Sequence, residues 1–239
     1  MIPKKIHYCW YGGKPLPDLA KKCIDSWKKY CPDYEIIRWD ESNTDLQSNQ
    51  YVREAFEAKK WAFITDYVRL KVLYEYGGLY MDTDVQVIAP LDKFLNNRGF
   101  SGFENEHQVP TGIMAAEAGN SFIEELLHDY DDKHFILEDG SQDMTTNVVA
   151  ITKLAAEKGL VLNNQMQIIE DFTFYPSDYF CPKDSRSLKV YLTNNTATIH
   201  HFAGSWGNPV LLHIKQGVKR LLGERLCLKI SEIRVRKKA

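Results

Sequence analysis

One stretch constrains the rest of the chain. An apolar helical repeat stops on a glycine pair and turns directly into a short run that ends in two aspartates. Phe63, Tyr67, Leu70 and Tyr74 recur at i, i+4, i+7 and i+11, which predicts a helix over 63–76. Gly77 supplies the left-handed stop such a helix needs. Leu79, Tyr80 and Met81 then read as a strand, closed by Asp82 and Asp84. Aspartate is among the residues strands use least, so the pair needs a reason.

The flanking segments repeat the helix–strand alternation. Ile6 to Tyr11 reads as a buried strand opening into Gly12-Gly13. A helix from Pro17 to Tyr30 carries Leu19, Cys23 and Trp27 at spacings of four. Tyr34 to Trp39 predicts a second strand, and a helical region follows Asn49. Helices are expected near 121–130 and 146–156, a β-rich stretch over 167–180, and a last strand over 196–202. This order predicts an α/β fold on a mainly parallel sheet flanked by helices. One domain is expected over 1–206, followed by a basic amphipathic segment over 207–239.

Composition excludes several classes. The 239 residues carry 30 basic and 32 acidic side chains, so a nucleic-acid-binding surface over the whole molecule is not expected. The five cysteines form no C-x-x-C pair, which predicts reduced, buried thiols rather than disulfides or zinc. The start of the chain lacks the apolar core of a signal peptide, and no run of 18 apolar residues is present. The expectation is a cytoplasmic protein. Lys215, Lys219, Arg220 and Arg225, set among leucines, add an anionic membrane surface as a candidate partner.

Two carboxylates one residue apart at a strand end can point the same way. They repel unless a cation lies between them, and hard cations such as Mg²⁺ or Mn²⁺ accept such partial cages. A polar strand end is the plainer reading. A phosphatase of the haloacid dehalogenase type also uses an Asp-x-Asp, with the first aspartate as nucleophile. That motif ends the first strand of its domain, whereas two strands precede this one. Asp66 and Arg69, three apart, share a helix face that the apolar stripe leaves free. A surface ion pair is one outcome, and holding hydroxyls and phosphate is the other.

Three segments together resemble the GT-A glycosyltransferases of family 32, whose motif is a sugar-binding DXD. They are residues 2–13, the run from Thr65 through Asp84, and His200-His201-Phe202-Ala203-Gly204-Ser205-Trp206. The resemblance implies a Rossmann-like GT-A domain and a retaining transfer from a nucleotide-diphosphate sugar. UDP-hexose is the favoured donor and GDP-mannose the second, with a glycan or lipid-linked oligosaccharide as acceptor in polysaccharide or capsule synthesis. It gives Trp10 to base stacking, the backbone near Tyr8 to the base edge, and Thr65 to the base. Asp66 and Arg69 go to the sugar and phosphate, and Asp143 to the transferred sugar. Asp82 and Asp84 hold Mn²⁺ or Mg²⁺. His201 is preferred over His200 as the further ligand, with Ser205 the alternative. Trp206 is expected to donate to a leaving phosphate oxygen. A non-catalytic sugar-nucleotide or glycan-binding protein of the same fold remains the third reading.

Overall fold

The computed structural model describes residues 1–184 and 187–204. Ser205, Trp206 and the basic segment over 207–239 lie outside the described residues, and so does any membrane contact through that segment.

Strand β1 (Lys5–Cys9) is central. Its alternation sends Ile6 and Tyr8 into one core and Cys9 into the other, on opposite faces of the sheet. Strand β2 (Glu35–Trp39) pairs with it in parallel, and so does β3 (Gly78–Met81) on its other side. The close approach of β3 depends on Gly78, at φ +109°, where an added Cβ would lie 2.8 Å from the Lys5 carbonyl oxygen. Further strands are β4 (Val85–Val87), β5 (Gly99–Gly102), β6 (Ile113–Ala116), β7 (Gln167–Ile169), β8 (Phe172–Tyr175) and β9 (Thr198–His200). The seven-stranded sheet has the order β2-β1-β3-β6-β5-β8-β7. Only β6 and β7 run against the other five, giving a mostly parallel sheet. Pro176 follows β8, and the rest of the expected β-rich stretch is a short helix rather than strand.

Helices flank both faces. Helix α1 (Asp18–Tyr30) buries Ala20, Cys23, Ile24 and Trp27. Its Trp27 indole donates to the Val85 carbonyl at 2.7 Å, and Ser26 Oγ accepts from the Val87 amide at 2.9 Å. These two bonds pin β4, the strand that follows Asp84. On the other face stand α2 (Gln50–Glu57), α3 (Trp61–Tyr76), α4 (Ser121–His128) and α5 (Asn147–Glu157), and α6 (Ser177–Phe180) follows β8.

Helix α3 departs from the sequence expectation. Ile64, Thr65, Asp66, Val68, Arg69, Val72 and Leu73 are buried along with Phe63 and Leu70. Tyr67 and Tyr74 of the expected stripe are only half-buried, while the face bearing Asp66 and Arg69 is enclosed rather than free. The described cysteines follow expectation, with Cys9, Cys23, Cys31 and Cys181 free and buried, and Cys227 lies outside the described residues. No helix among the described residues is long and apolar enough to cross a membrane.

Candidate metal and donor site

Asp82, Thr83 and Asp84 form the turn between β3 and β4. The Val85 amide donates to the Asp82 carbonyl at 2.9 Å, and the Asp82 amide donates to Gly112 O at 2.9 Å. Both carboxylates therefore sit on a braced backbone. Strand β9 then returns from more than a hundred residues away and pairs antiparallel with β4, setting His200 opposite Val85. His200 Nε2 lies 3.3 Å from Asp84 Oδ1. Ligand atoms of Asp82, Asp84 and His200 all fall within 4.8 Å of one another, the one such group among the described residues.

This placement brings His200, and not the expected His201, to the two carboxylates. Adjacent strand residues point to opposite faces, and the β4–β9 register gives the inward face to His200. His201 turns away: its Nε2 is 3.0 Å from Gln86 Oε1, and its carbonyl accepts from Lys183 Nζ at 2.6 Å. Two further amides fasten this segment to the turn. His201 N–H donates to the Asp84 carbonyl at 3.0 Å, and Ala203 N–H to Asp84 Oδ2 at 2.7 Å.

Charge at the site is finely opposed. Burial raises the Asp82 carboxyl above its usual range, against the lowering pull of Arg69. Burial would also raise Asp84, but the hydrogen bond and charge of His200, together with the Ala203 amide, hold it below. Burial would lower His200, yet the Asp84 carboxylate and the nearby Cys181 keep it well above an ordinary imidazole. Beneath the pair, Arg69 Nη2 is 3.1 Å from Asp66 Oδ1, and its Nη1 is 3.5 Å from Asp82 Oδ1 and donates to Thr111 O at 2.7 Å. The guanidinium also lies 4.6 Å over the Tyr80 ring, whose hydroxyl donates to Asp82 Oδ1 at 3.1 Å. Arg69 thus joins both aspartates as an internal clamp. Asp66, pushed up to about 6 by burial despite Arg69, accepts from the Asn147 amide at 3.2 Å, where α5 begins.

The remaining expected residues are dispersed. Tyr8 and Trp10 are 7% and 6% exposed and pack in the core on the α1 side. Tyr8 stands edge-on to Trp27, and the Trp10 indole donates to Lys14 O at 2.6 Å. In this structure neither ring is an open platform for a base. Thr65 Oγ1 donates back to Trp61 O at 3.1 Å, inside its own helix. Asp143 Oδ1 accepts from the Thr145 amide at 2.9 Å and Oδ2 lies 3.3 Å from Lys133 Nζ. Sequence reasoning missed Cys9, Tyr80 and Phe202, which line the Asp82–Asp84 pocket, a cavity of about 250 Å³. Cys9 had a readable signal, since strand alternation puts it opposite Tyr8 and Trp10. Phe202, at φ +54°, had none.

The donor set fits a divalent cation. The two carboxylates suit hard cations such as Mn²⁺ and Mg²⁺, and the imidazole suits the borderline Mn²⁺ better than Mg²⁺. The burial that raises Asp82 is also the condition under which a second positive charge stabilises the pair.

Residues 17–101 match the family described as "Glycosyltransferase sugar-binding region containing DXD motif". "Inositol phosphoceramide mannosyltransferase 3" of Schizosaccharomyces pombe is 28% identical over 134 residues, covering 53% of this chain and 36% of its own. "Inositol phosphoceramide mannosyltransferase 2" of the same yeast is 34% identical over 99 residues, covering 40% of this chain and 28% of its own. The chain thus spans about a third of the length of these curated relatives. Among solved structures, "PaToxG Glycosyltransferase" superposes with a TM-score of 0.50 at 17% identity, over 66% of this chain and 70% of that one. That likeness is one of fold.

Proposed function

We propose that this chain, of the GT-A glycosyltransferase family 32 type, transfers a hexosyl group from a nucleoside-diphosphate sugar with retention of configuration. UDP-hexose is the favoured donor and GDP-mannose the second. The acceptor is a glycan or a lipid-linked oligosaccharide. One observation carries the reading: Asp82, Asp84 and His200 converge on a single point of a pocket.

Asp82, Asp84 and His200 would hold Mn²⁺ or Mg²⁺, and the ion, when bound, neutralises charge developing on the departing diphosphate. The chain's own residues do the rest. Arg69 and Tyr80 hold Asp82 Oδ1 in place, and the Ala203 amide does the same for Asp84 Oδ2. Arg69 is fully engaged inside the protein, so its role in this reading is to position Asp66 and Asp82 rather than to reach the phosphate. Asp82 and Asp84 are the only carboxylates among the described lining residues of the pocket, and both belong to the metal cluster. The Cys9 thiol, pushed up to about 12 by burial, is not a nucleophile near neutral pH. These points support a front-face retaining route, in which the leaving diphosphate takes the acceptor's proton. The same commitment of Asp82 argues against its use as a phosphatase nucleophile.

The experiment is nucleotide release from a panel of UDP- and GDP-sugars, with Mn²⁺ and then with EDTA. Slow release from one donor that EDTA stops is the expected result. Release that ignores EDTA removes the metal role, and silence from every donor, with and without glycan acceptors, removes the transferase reading.

A further inference from the structure

Phe202 stands in the Asp82–Asp84 pocket on a backbone that does not suit it. Its φ is +54°, in the left-handed region that a bulky side chain enters only under strain and glycine enters freely. Bonds on either side hold the turn. His201 N–H donates to the Asp84 carbonyl at 3.0 Å, and Ala203 N–H donates to Asp84 Oδ2 at 2.7 Å. Two amides thus reach one aspartate, with residue 202 bent between them. Glycine at 202 would meet that demand without strain, and the same segment uses one two residues on, Gly204 at φ +61°. A phenylalanine held here needs a reason in its ring.

The ring has a defined place. Its centroid lies 4.3 Å from that of the His200 imidazole, with the planes at 35°. It lines the same cavity of about 250 Å³ as Asp82, Asp84 and His200. The other aromatic and sulfur side chains of that lining are closed off, Tyr80 at 1% and Cys9 at 2% exposure. Tyr80 also spends its hydroxyl on Asp82 Oδ1. Phe202 is half-buried, so of the three it alone offers the pocket a partly open apolar face.

A donor meets the Asp82–Asp84–His200 group through its diphosphate. A ring in contact with His200 then reaches only what is bonded directly to that diphosphate, the ribose on one side and the hexose on the other. A pyranose presents several ring C–H groups on one flat face, which an aromatic ring covers. A puckered furanose has no comparable patch.

We propose that Phe202 is a specificity-determining residue that grips the transferred hexose, its ring packing on the apolar face of the donor's pyranose beside the proposed metal ligands. The proposal rests on the transferase reading above. It gives the strain at residue 202 a purpose: a ring is placed where the turn alone calls for glycine.

The test is titration calorimetry on the full chain in Mn²⁺, with UDP against UDP-glucose and UDP-galactose, and GDP against GDP-mannose. The parent is compared with Phe202→Gly, Phe202→Leu and Phe202→Tyr. Phe202→Gly is expected to weaken the hexose form about fivefold or more, while the bare diphosphate stays within about twofold. Phe202→Leu keeps bulk against His200 and loses only the flat face, so the same selective loss is expected in smaller degree. Phe202→Tyr keeps that face and is expected to hold both forms near the parent. Equal weakening of the diphosphate and its hexose form would mean that the ring only steadies His200, and overturns the proposal. So does an unchanged hexose form in the glycine and leucine variants, or a tyrosine variant as weak as they are. A parent that binds neither diphosphate in Mn²⁺ would instead strike the donor reading, so the two failures are separable.

Discussion

Single residues changed meaning between sequence and structure, and each change has a physical cause. Trp10 stands beside Gly12-Gly13 and reads as a base-stacking platform, but β1 alternation puts it with Ile6 and Tyr8 in the core, 6% exposed. Trp10→Ala is accordingly expected to cost about 3–5 kcal/mol of stability, the range for removing a buried aromatic, read from urea denaturation. A loss under 1 kcal/mol would return the indole to the surface. The Asp82–Asp84 pair was legible as a candidate because strands rarely carry aspartate, although a polar strand end was the plainer reading of it. The choice between His200 and His201 was not, because it depends on a register with β4 that adjacent residues do not encode. Arg69 was legible as a partner of Asp66 three residues away. Its second carboxylate, Asp82, is a tertiary contact that no local spacing reveals.

At the scale of elements, the helix α3 and strand β3 that follow it were plain in the sequence, since 3.6-residue periodicity, a glycine stop and an apolar run agree. The deeper face of α3 was hidden: of the stripe at 63, 67, 70 and 74 only Phe63 and Leu70 are buried, while Thr65, Asp66 and Arg69 are buried without an apolar pattern to mark them. The strand β9 was legible within 196–202, but its pairing with β4 was not, since a three-residue β4 is too short to carry a pattern. The packing of β9 against the loop before β6 is tight at Gly112, where an added Cβ would lie 2.8 Å from His200 Nδ1 and 3.0 Å from its Cε1. Gly112→Ala therefore displaces the imidazole while the Asp82-to-Gly112 backbone bond survives. Mn²⁺-dependent nucleotide affinity is expected to fall about tenfold, with overpacking costing about 1–3 kcal/mol in a melt. Unchanged affinity would mean that His200 is not held by this contact.

Over the whole molecule, distant segments are tied by partly buried polar groups as well as by the two cores. Glu54 on α2 accepts from the Phe135 and Ile136 amides at 2.8 and 3.0 Å and from Gln50 Nε2 at 2.6 Å. Burial works to raise its carboxyl, but these bonds and His134 outweigh it and hold the pKa at about 2, below the ordinary 4.5. A depressed folded-state pKa stabilises the protein above the unfolded value, and that contribution is lost as pH falls from about 4.5 toward 2. Glu54→Gln is expected to be less stable by about 1–3 kcal/mol at pH 7 and to converge with the parent near pH 2. Urea midpoints across that range check it, and parallel curves would contradict it. The central claim also belongs to this scale, because Asp82, Asp84 and His200, the proposed metal ligands, come together only when β9 returns to β4. Its most direct test is titration calorimetry of a nucleoside diphosphate with Mn²⁺ on the parent, His200→Ala and His201→Ala. The account predicts Mn²⁺-dependent binding in the parent, weakened at least tenfold by His200→Ala and by no more than twofold by His201→Ala. Equal losses in the two variants, or binding indifferent to Mn²⁺, would contradict it.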